Sequence, residues 1–213
     1  MRILIPARLG SKGLPGKNRI LFPYTASIIP RELFSHTYVT TDDPVVEKMS
    51  ITLGLNVHRR DPKAATDEAS MKEVVTDFIK SEGPRGEVLV VLYLTYPERT
   101  WNDVERSLKE LEASRLRSLL CRFESEVHPC LMAFETQGSK GRQIFKHDLY
   151  RRQDYPSCFE ISHYVCAFYD DEVDMLNNNM YNDDTYFMRC QKMIDVDLKE
   201  HLERFNKCKE LKS

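Results

Sequence analysis

The sequence predicts an α/β protein built on a mostly parallel, doubly wound sheet, and three observations carry that expectation. Strand-like and helix-like patterns alternate along the first half of the chain. The most continuous apolar run, Glu87 to Leu94, has the length and β-branched content of a central parallel strand buried on both faces. A glycine-rich, basic segment directly follows the first apolar stretch, where ligands bind at the carboxyl ends of strands in open α/β sheets.

Taken in order, Arg2 to Pro6 reads as the first strand and Thr37 to Thr41 as the second. Between them PYTASIIPREL is a short stretch interrupted by Pro23 and Pro30, and no element is assigned to it. Pro44 to Leu53 has helical character and stops at Gly54, a C-cap residue, before a short strand from Asn56 to Arg59. Ser70 to Lys80 reads as a helix. Trp101 to Ser114 reads as another, amphipathic, with Val104, Leu108 and Leu111 at core spacing. Beyond residue 118 the apolar pieces Ser118 to Arg122, Leu131 to Glu135 and Tyr164 to Tyr169 are separated by polar stretches, which predicts a β-rich excursion. A helix from Lys199 to Lys207 closes the pattern. With no repeat or long linker, residues 1–213 are expected to form a single domain with an inserted lobe at about 121–165.

Composition narrows the function classes. The chain has 213 residues, 31 basic and 33 acidic, and a net charge of −2, so no broad cationic field advertises nucleic-acid binding. No apolar run approaches the roughly 18 residues of a membrane span, and Met1 leads straight into a strand. A cytoplasmic protein is expected. The six cysteines form no CxxC pair; reduced thiols are the expectation, and His163 with Cys166 has no second pair to complete a zinc site.

The positive charge is local instead. Ile5 to Asn18, IPARLGSKGLPGKN, places Arg8, Lys12 and Lys17 among three glycines. Glycine lets a backbone approach an anion closely, exposed N–H groups form an anion-binding concavity, and the cations complete a site suited to a triphosphate. The spacing is neither that of a Walker loop, since Asn18 follows Lys17, nor that of a dinucleotide fingerprint. Far along the chain, Asp195 and Asp197 stand two apart on an expected strand or strand end, so both carboxylates point to one face and can hold Mg²⁺ against a triphosphate. An acidic strand end or helix N-cap is the bland alternative. Arg151 and Arg152 are either solvated surface or a bidentate carboxylate site.

The loop string closely resembles the N-terminal signature of the CMP-N-acetylneuraminate (CMP-sialic acid) synthetases, approximately IPARGGSKGIPxKN. Further segments match in the same order: TTDDP at Thr40 to Pro44 resembles STDD, RRDPKAATDEAS at Arg59 to Ser70 resembles RPxxLAxDxAS, and TYPERT at Thr95 to Thr100 resembles TSPLRT. YRRQDYP at Tyr150 to Pro156 resembles YRRQDLP, and MIDVD at Met193 to Asp197 resembles SIDID.

The resemblance implies a Rossmann-like nucleotidyltransferase whose inserted lobe serves dimerisation. It implies a homodimer whose partners are CTP and an acidic keto-sugar, a sialic or related nonulosonic acid, with CMP-sugar and pyrophosphate as products. Ala7, Arg8, Gly10, Ser11, Lys12, Lys17 and Asn18 would bind the nucleotide, with Arg8, Lys12 and Lys17 catalytic, and Arg60, Ala69 and Ser70 would recognise cytosine. Asp195 and Asp197 would bind Mg²⁺. Tyr93, Thr95, Arg151, Arg152 and Gln153 would meet the sugar, the arginine segment reaching toward the partner's site. No histidine or carboxylate stands out as general base.

The chain also departs from this family. Tyr93 stands where the family's central strand ends in glutamine, Ser162, His163 and Tyr164 replace NGA, and Asn18 to Thr41 is shorter by roughly two helical turns of about 3.6 residues each. If the apolar strand runs its full length, Tyr93 and Thr95 face one side and Tyr96 the other. The alternatives are a 3-deoxy-manno-octulosonate or other sugar nucleotidyltransferase, whose QGDEP signature is absent, or a catalytically silent nucleotide-binding protein acting through a partner.

Overall fold

The computed structural model describes residues 1–66 and 68–211. Its centre is a seven-stranded sheet built from β1 (Arg2–Ala7), β2 (Thr37–Thr41), β3 (Asn56–Arg59), β4 (Val88–Val91), β5 (Ser118–Glu124), β8 (Phe159–Tyr169) and β9 (Tyr186–Arg189), in the order β3-β2-β1-β4-β8-β5-β9. The pairs β3-β2, β2-β1, β1-β4 and β5-β9 are parallel, whereas β8 runs antiparallel to both neighbours. The sheet is mostly parallel and α/β, as its alternating pattern predicts.

Helices α1 (Lys17–Ile28), α2 (Pro44–Leu53), α3 (Met71–Glu82), α4 (Trp101–Ser114) and α5 (Lys199–Glu210) complete the layers. Two apolar clusters sandwich the sheet. Ile3, Ile5, Val90 and Leu92 belong to one with Leu21, Phe22 and Val104; Leu4, Leu89 and Val91 belong to the other with Val75, Phe78 and Ile79. This division follows the two-residue alternation of strand side chains. Capping boxes start α3 at Ser70 and α4 at Thr100, and the left-handed Gly54 ends α2.

Four sequence expectations need correction. The run from Glu87 is a ladder strand only to Val91, because the chain then turns, and it is parallel to β1 but antiparallel to β8. Ser118 to Arg122 and Tyr164 to Tyr169, assigned to the excursion, are strands of the main sheet; residues 125–158 leave it and carry the exposed hairpin β6 (Ala133–Thr136) with β7 (Lys140–Gln143) and two single-turn 3-10 helices, Pro129–Leu131 and Arg152–Asp154. The stretch around Pro23 is a helix, since burial of Leu21, Phe22, Thr25 and Ala26 outweighs the hydrogen bond that proline omits. Asp195 and Asp197 lie in an extended segment outside any ladder.

The edge of β1 is pinned by Arg2, whose fully buried guanidinium pairs with the equally buried Asp170. The same carboxylate accepts the N–H groups of Arg85 at 2.8 Å and Gly86 at 2.9 Å. Asp170→Ala therefore removes the buried one of the two carboxylates facing Arg2, leaving Glu87 at 3.1 Å, and strands two N–H groups. A destabilisation of about 3–5 kcal/mol is expected, read as a lower midpoint in urea unfolding.

Candidate active site

The glycine-rich loop leaves the end of β1 with both its ends fixed. Thr41 donates a hydroxyl bond to Ala7 O, Asp42 accepts the N–H of Leu9 at 2.6 Å, and buried Leu14 anchors the far side. Asn18 reaches back to donate to Arg8 O at 2.8 Å. Gly16 starts α1 from the left-handed region with φ 72°, and no side chain caps the helix or places acid in its first turn. The amide end of α1 and the cations of the loop consequently share one mouth, bordered by Arg8, Gly10, Ser11, Lys17 and Asn18.

From that mouth a cleft of about 170 Å³ runs toward the end of β4. Arg8, Ser11, Lys17 and Asn18 line one wall, Arg60 and Ala69 another, and Tyr93 and Thr95 the floor. Arg8, Ser11, Lys17, Asn18, Arg60, Ala69, Tyr93 and Thr95, far apart in sequence, are thus brought together. Lys12 is exposed on the same loop, and Ala7 lies buried beneath it. Ser70 borders this region through Ala69, but its hydroxyl is engaged with Glu73 in the capping box of α3.

Arg60 is held by Thr40, donating from Nε to the carbonyl at 3.3 Å and to Oγ1 at 3.2 Å. Burial pulls its pKa down to about 10, so it remains a cation at neutral pH while exposed to little water. Such a partly desolvated guanidinium forms strong directional bonds to a polar ring edge.

The two aspartates meet the loop from the opposite side. Lys17 Nζ pairs with Asp197. A Cβ on Gly13 would sit 2.6 Å from Asp197 O, so only glycine lets the loop and this segment pack. Val196, buried between the two exposed carboxylates, donates its N–H to Thr95 O at 2.8 Å and fixes the segment at the floor of the cleft. Asp195 accepts the Tyr96 hydroxyl at 3.0 Å. The two carboxylates have the chemistry for a hard cation: both are exposed oxygen donors, and Asp197 stands beside the loop.

Arg151, Arg152 and Gln153 are exposed on the excursion and do not line the cleft of their own chain. Arg151 instead makes a two-pronged pair with Asp154 at 2.8 and 3.0 Å.

Several site residues escaped the sequence reading. Thr66, Met71 and Leu94 line the cleft. Tyr96, read only as facing away from Tyr93, positions Asp195. Arg99, fully buried, donates to Tyr93 O and Tyr164 O, both at 2.6 Å. The TYPERT string contained both residues, yet neither tyrosine hydroxyl direction nor guanidinium burial has a local signature.

Residues 2–95 match the family model described as cytidylyltransferase. The chain is 29% identical over 163 residues to an N-acylneuraminate cytidylyltransferase of Streptococcus agalactiae serotype III, covering 71% of this chain and 39% of that protein. It is 28% identical over 162 residues to N-acylneuraminate cytidylyltransferase B of Danio rerio, covering 72% of this chain and 38% of the relative. The chain thus spans about two fifths of the length of these curated relatives. A CMP:2-keto-3-deoxy-manno-octonic acid synthetase complexed with CTP shares the fold with a TM-score of 0.70 at 16% identity, covering 100% of this chain and 99% of that one. The 4-diphosphocytidyl-2C-methyl-D-erythritol synthase of Anaerococcus prevotii shares it with a TM-score of 0.65 at 11% identity, covering 98% and 95%. The chain shares its fold with these two nucleotidyltransferases, and its sequence is similar to those of N-acylneuraminate cytidylyltransferases.

Proposed function

We propose that this chain is a CTP-dependent nucleotidyltransferase that joins CMP to an acidic keto-sugar, of the sialic or nonulosonic acid class, with release of pyrophosphate. The observation that carries the reading is the single cleft in which the basic loop, Arg60 with Ala69, and Tyr93 with Thr95 converge beside Asp197. The sugar's anomeric hydroxyl attacks the α-phosphorus of CTP, the bond to the β-phosphate oxygen breaks, and pyrophosphate carries the electron pair away. Arg8, Lys12 and Lys17 neutralise the triphosphate, and the amide end of α1 adds donors toward the leaving oxygens. Arg60 and the backbone near Ala69 hold the cytosine. Asp195 and Asp197 would hold Mg²⁺, which supplies further charge neutralisation on the phosphates when bound. Lys17 and Asp197 keep each other balanced until an anion and a cation arrive together.

The relatives' printed activity supports the sialic-acid side of this assignment, and a cytoplasmic location is part of the proposal. Among the described residues, no helix is long and apolar enough to cross a membrane. A homodimer is also part of the proposal. Residues 125–161 expose Val127, Leu131, Phe134, Phe145, Tyr150 and Ile161, an apolar concentration that a second copy would cover.

Pyrophosphate release from CTP, followed across a panel of N-acylated nonulosonic acids and the deoxy-octulosonate, tests the reaction and its substrate class. Tyr93→Gln should shift preference toward N-acetylneuraminate by about 10- to 200-fold in kcat/KM, corresponding to roughly 1–3 kcal/mol from one pocket contact. An unchanged ratio would remove Tyr93 from the sugar pocket.

Asp195→Asn and Asp197→Asn each remove one ligand charge at nearly constant volume. Turnover should fall about 100-fold or more in each, with the thermal midpoint held within a few degrees. Near-normal turnover in both would refute the cation assignment.

For the shared site, inactive Lys17→Ala and Arg152→Ala proteins should recover part of the activity when mixed, because one site of the heterodimer carries neither lesion. No recovery after verified subunit exchange would show that each site is complete within one chain.

A further inference from the structure

The arginine assigned to the base is held by a hydroxyl that a buried histidine holds in turn. Thr40 and His58 are register partners on the parallel pair β2 and β3, so their side chains stand together on one face. Thr40 Oγ1 lies 3.2 Å from Arg60 Nε and 3.0 Å from His58 Nδ1. Arg60 Nε can only donate, so Oγ1 accepts there, and the threonine proton is free for the imidazole. Donation from Oγ1 makes Nδ1 the unprotonated nitrogen of a neutral ring, the state that burial of His58 favours. The hydrogen of the ring then sits on Nε2, which faces Asp77 Oδ2 at 3.7 Å, and the same Asp77 oxygen accepts the N–H of Asp61, the residue after Arg60, at 2.9 Å. Thr40, Arg60, Asp61, Asp77 and His58 form one connected group at the wall of the cleft.

We propose that neutral His58 is a positioning residue for Arg60, and that its protonation weakens recognition of the cytosine base. This rests on the reading of Arg60 as the base-binding arginine. A proton on Nδ1 turns an acceptor into a donor. Thr40 Oγ1 would then share its two lone pairs between two donors, and its own hydrogen would lose the imidazole as partner. The new charge also stands near the Arg60 guanidinium and repels it. The groups acting on His58 are Asp77 and Glu82 from α3, which favour its charged form, and Arg60, which opposes it. The edge of Phe78 packs against the ring at 5.5 Å and adds no charge. Burial is the largest influence and lowers the His58 pKa from its ordinary 6.5. The sign follows directly: CTP affinity is full above that range and falls as pH drops through the His58 pKa.

Calorimetric Kd values for CTP between pH 5 and 8 test this with the whole protein and without dependence on turnover. The conservative variant His58→Asn keeps a carbonyl oxygen that can accept from Thr40 but cannot titrate. Dividing the wild-type Kd by the His58→Asn Kd at each pH cancels the titration of CTP itself. That ratio should be within about threefold of unity at pH 8 and rise up to about tenfold per pH unit once His58 charges. His58→Phe, which offers no acceptor, should weaken binding about tenfold at all pH values. Arg60→Ala separates the two layers of the argument. If it leaves Kd unchanged, the base-binding role of Arg60 fails, and this inference with it. If it weakens binding while the wild-type to His58→Asn ratio stays flat with pH, the role of Arg60 stands and that of His58 is overturned.

Discussion

The buried guanidinium of Arg99 is the constraint on which the floor of the cleft depends. It bridges the carbonyls of Tyr93 and Tyr164, tying the turn after β4 to the antiparallel strand β8. Its plane also lies over the rings of Tyr96 and Tyr164, at 5.7 and 5.6 Å from their centroids. Burial lowers its pKa to about 10, which leaves it charged at neutral pH. A buried charge of this kind is costly unless acceptors and aromatic faces offset it; here two carbonyls take Nε and Nη2 and two rings face the guanidinium, while Nη1 has no hydrogen-bond partner. Because Arg99 fixes Tyr96, and Tyr96 holds Asp195, the acidic segment inherits its position from a residue that never reaches the cleft.

The loop and the acidic segment constrain each other in a second way. Gly13 admits the backbone of Asp197 at a distance no side chain would allow, and Lys17 balances the carboxylate across the gap. These contacts join parts of the chain separated by most of its length. Neither the loop nor the aspartates alone define a site; their packing does.

That separation explains what could be read from sequence. The strands β1, β2 and β3 and the helices α2, α3 and α4 were legible because alternation, helical spacing and caps such as Gly54 and Ser70 are local signals. The helix α1 was not, since Pro23 is a local veto that only burial of Leu21 and Phe22 overrides. Strand β8 was obscured because its antiparallel placement between β4 and β5 is set by tertiary pairing, which leaves no mark in an apolar hexamer. The loop cations were marked out by motif chemistry, and Arg60 only by the family resemblance. The supporting residues Thr40, His58, Tyr96 and Arg99 were not, because each acts through a hydrogen bond to a residue remote in the sequence or through a neighbouring strand.

The departures from the family converge in space. Tyr93 replaces a glutamine, and His163 lies in the segment that replaces NGA, seventy positions away; their rings pack with centroids 5.0 Å apart. His163 Nε2 is in turn 2.9 Å from Asn179 O, so the pair is tethered at its outer side. An aromatic ring at 93 without a flat partner at 163 would leave apolar area facing solvent, and a large ring at 163 beside a glutamine would lack a stacking face. The two changes are therefore one repacking of the same wall. Arg99 carries its effect into the cleft, because it grips the Tyr93 carbonyl and leaves the side chain to be directed by His163. The basic loop is held by other bonds, from Asn18 to Arg8 O and from Leu9 to Asp42, so a change in this aromatic pair leaves the loop's own supports in place.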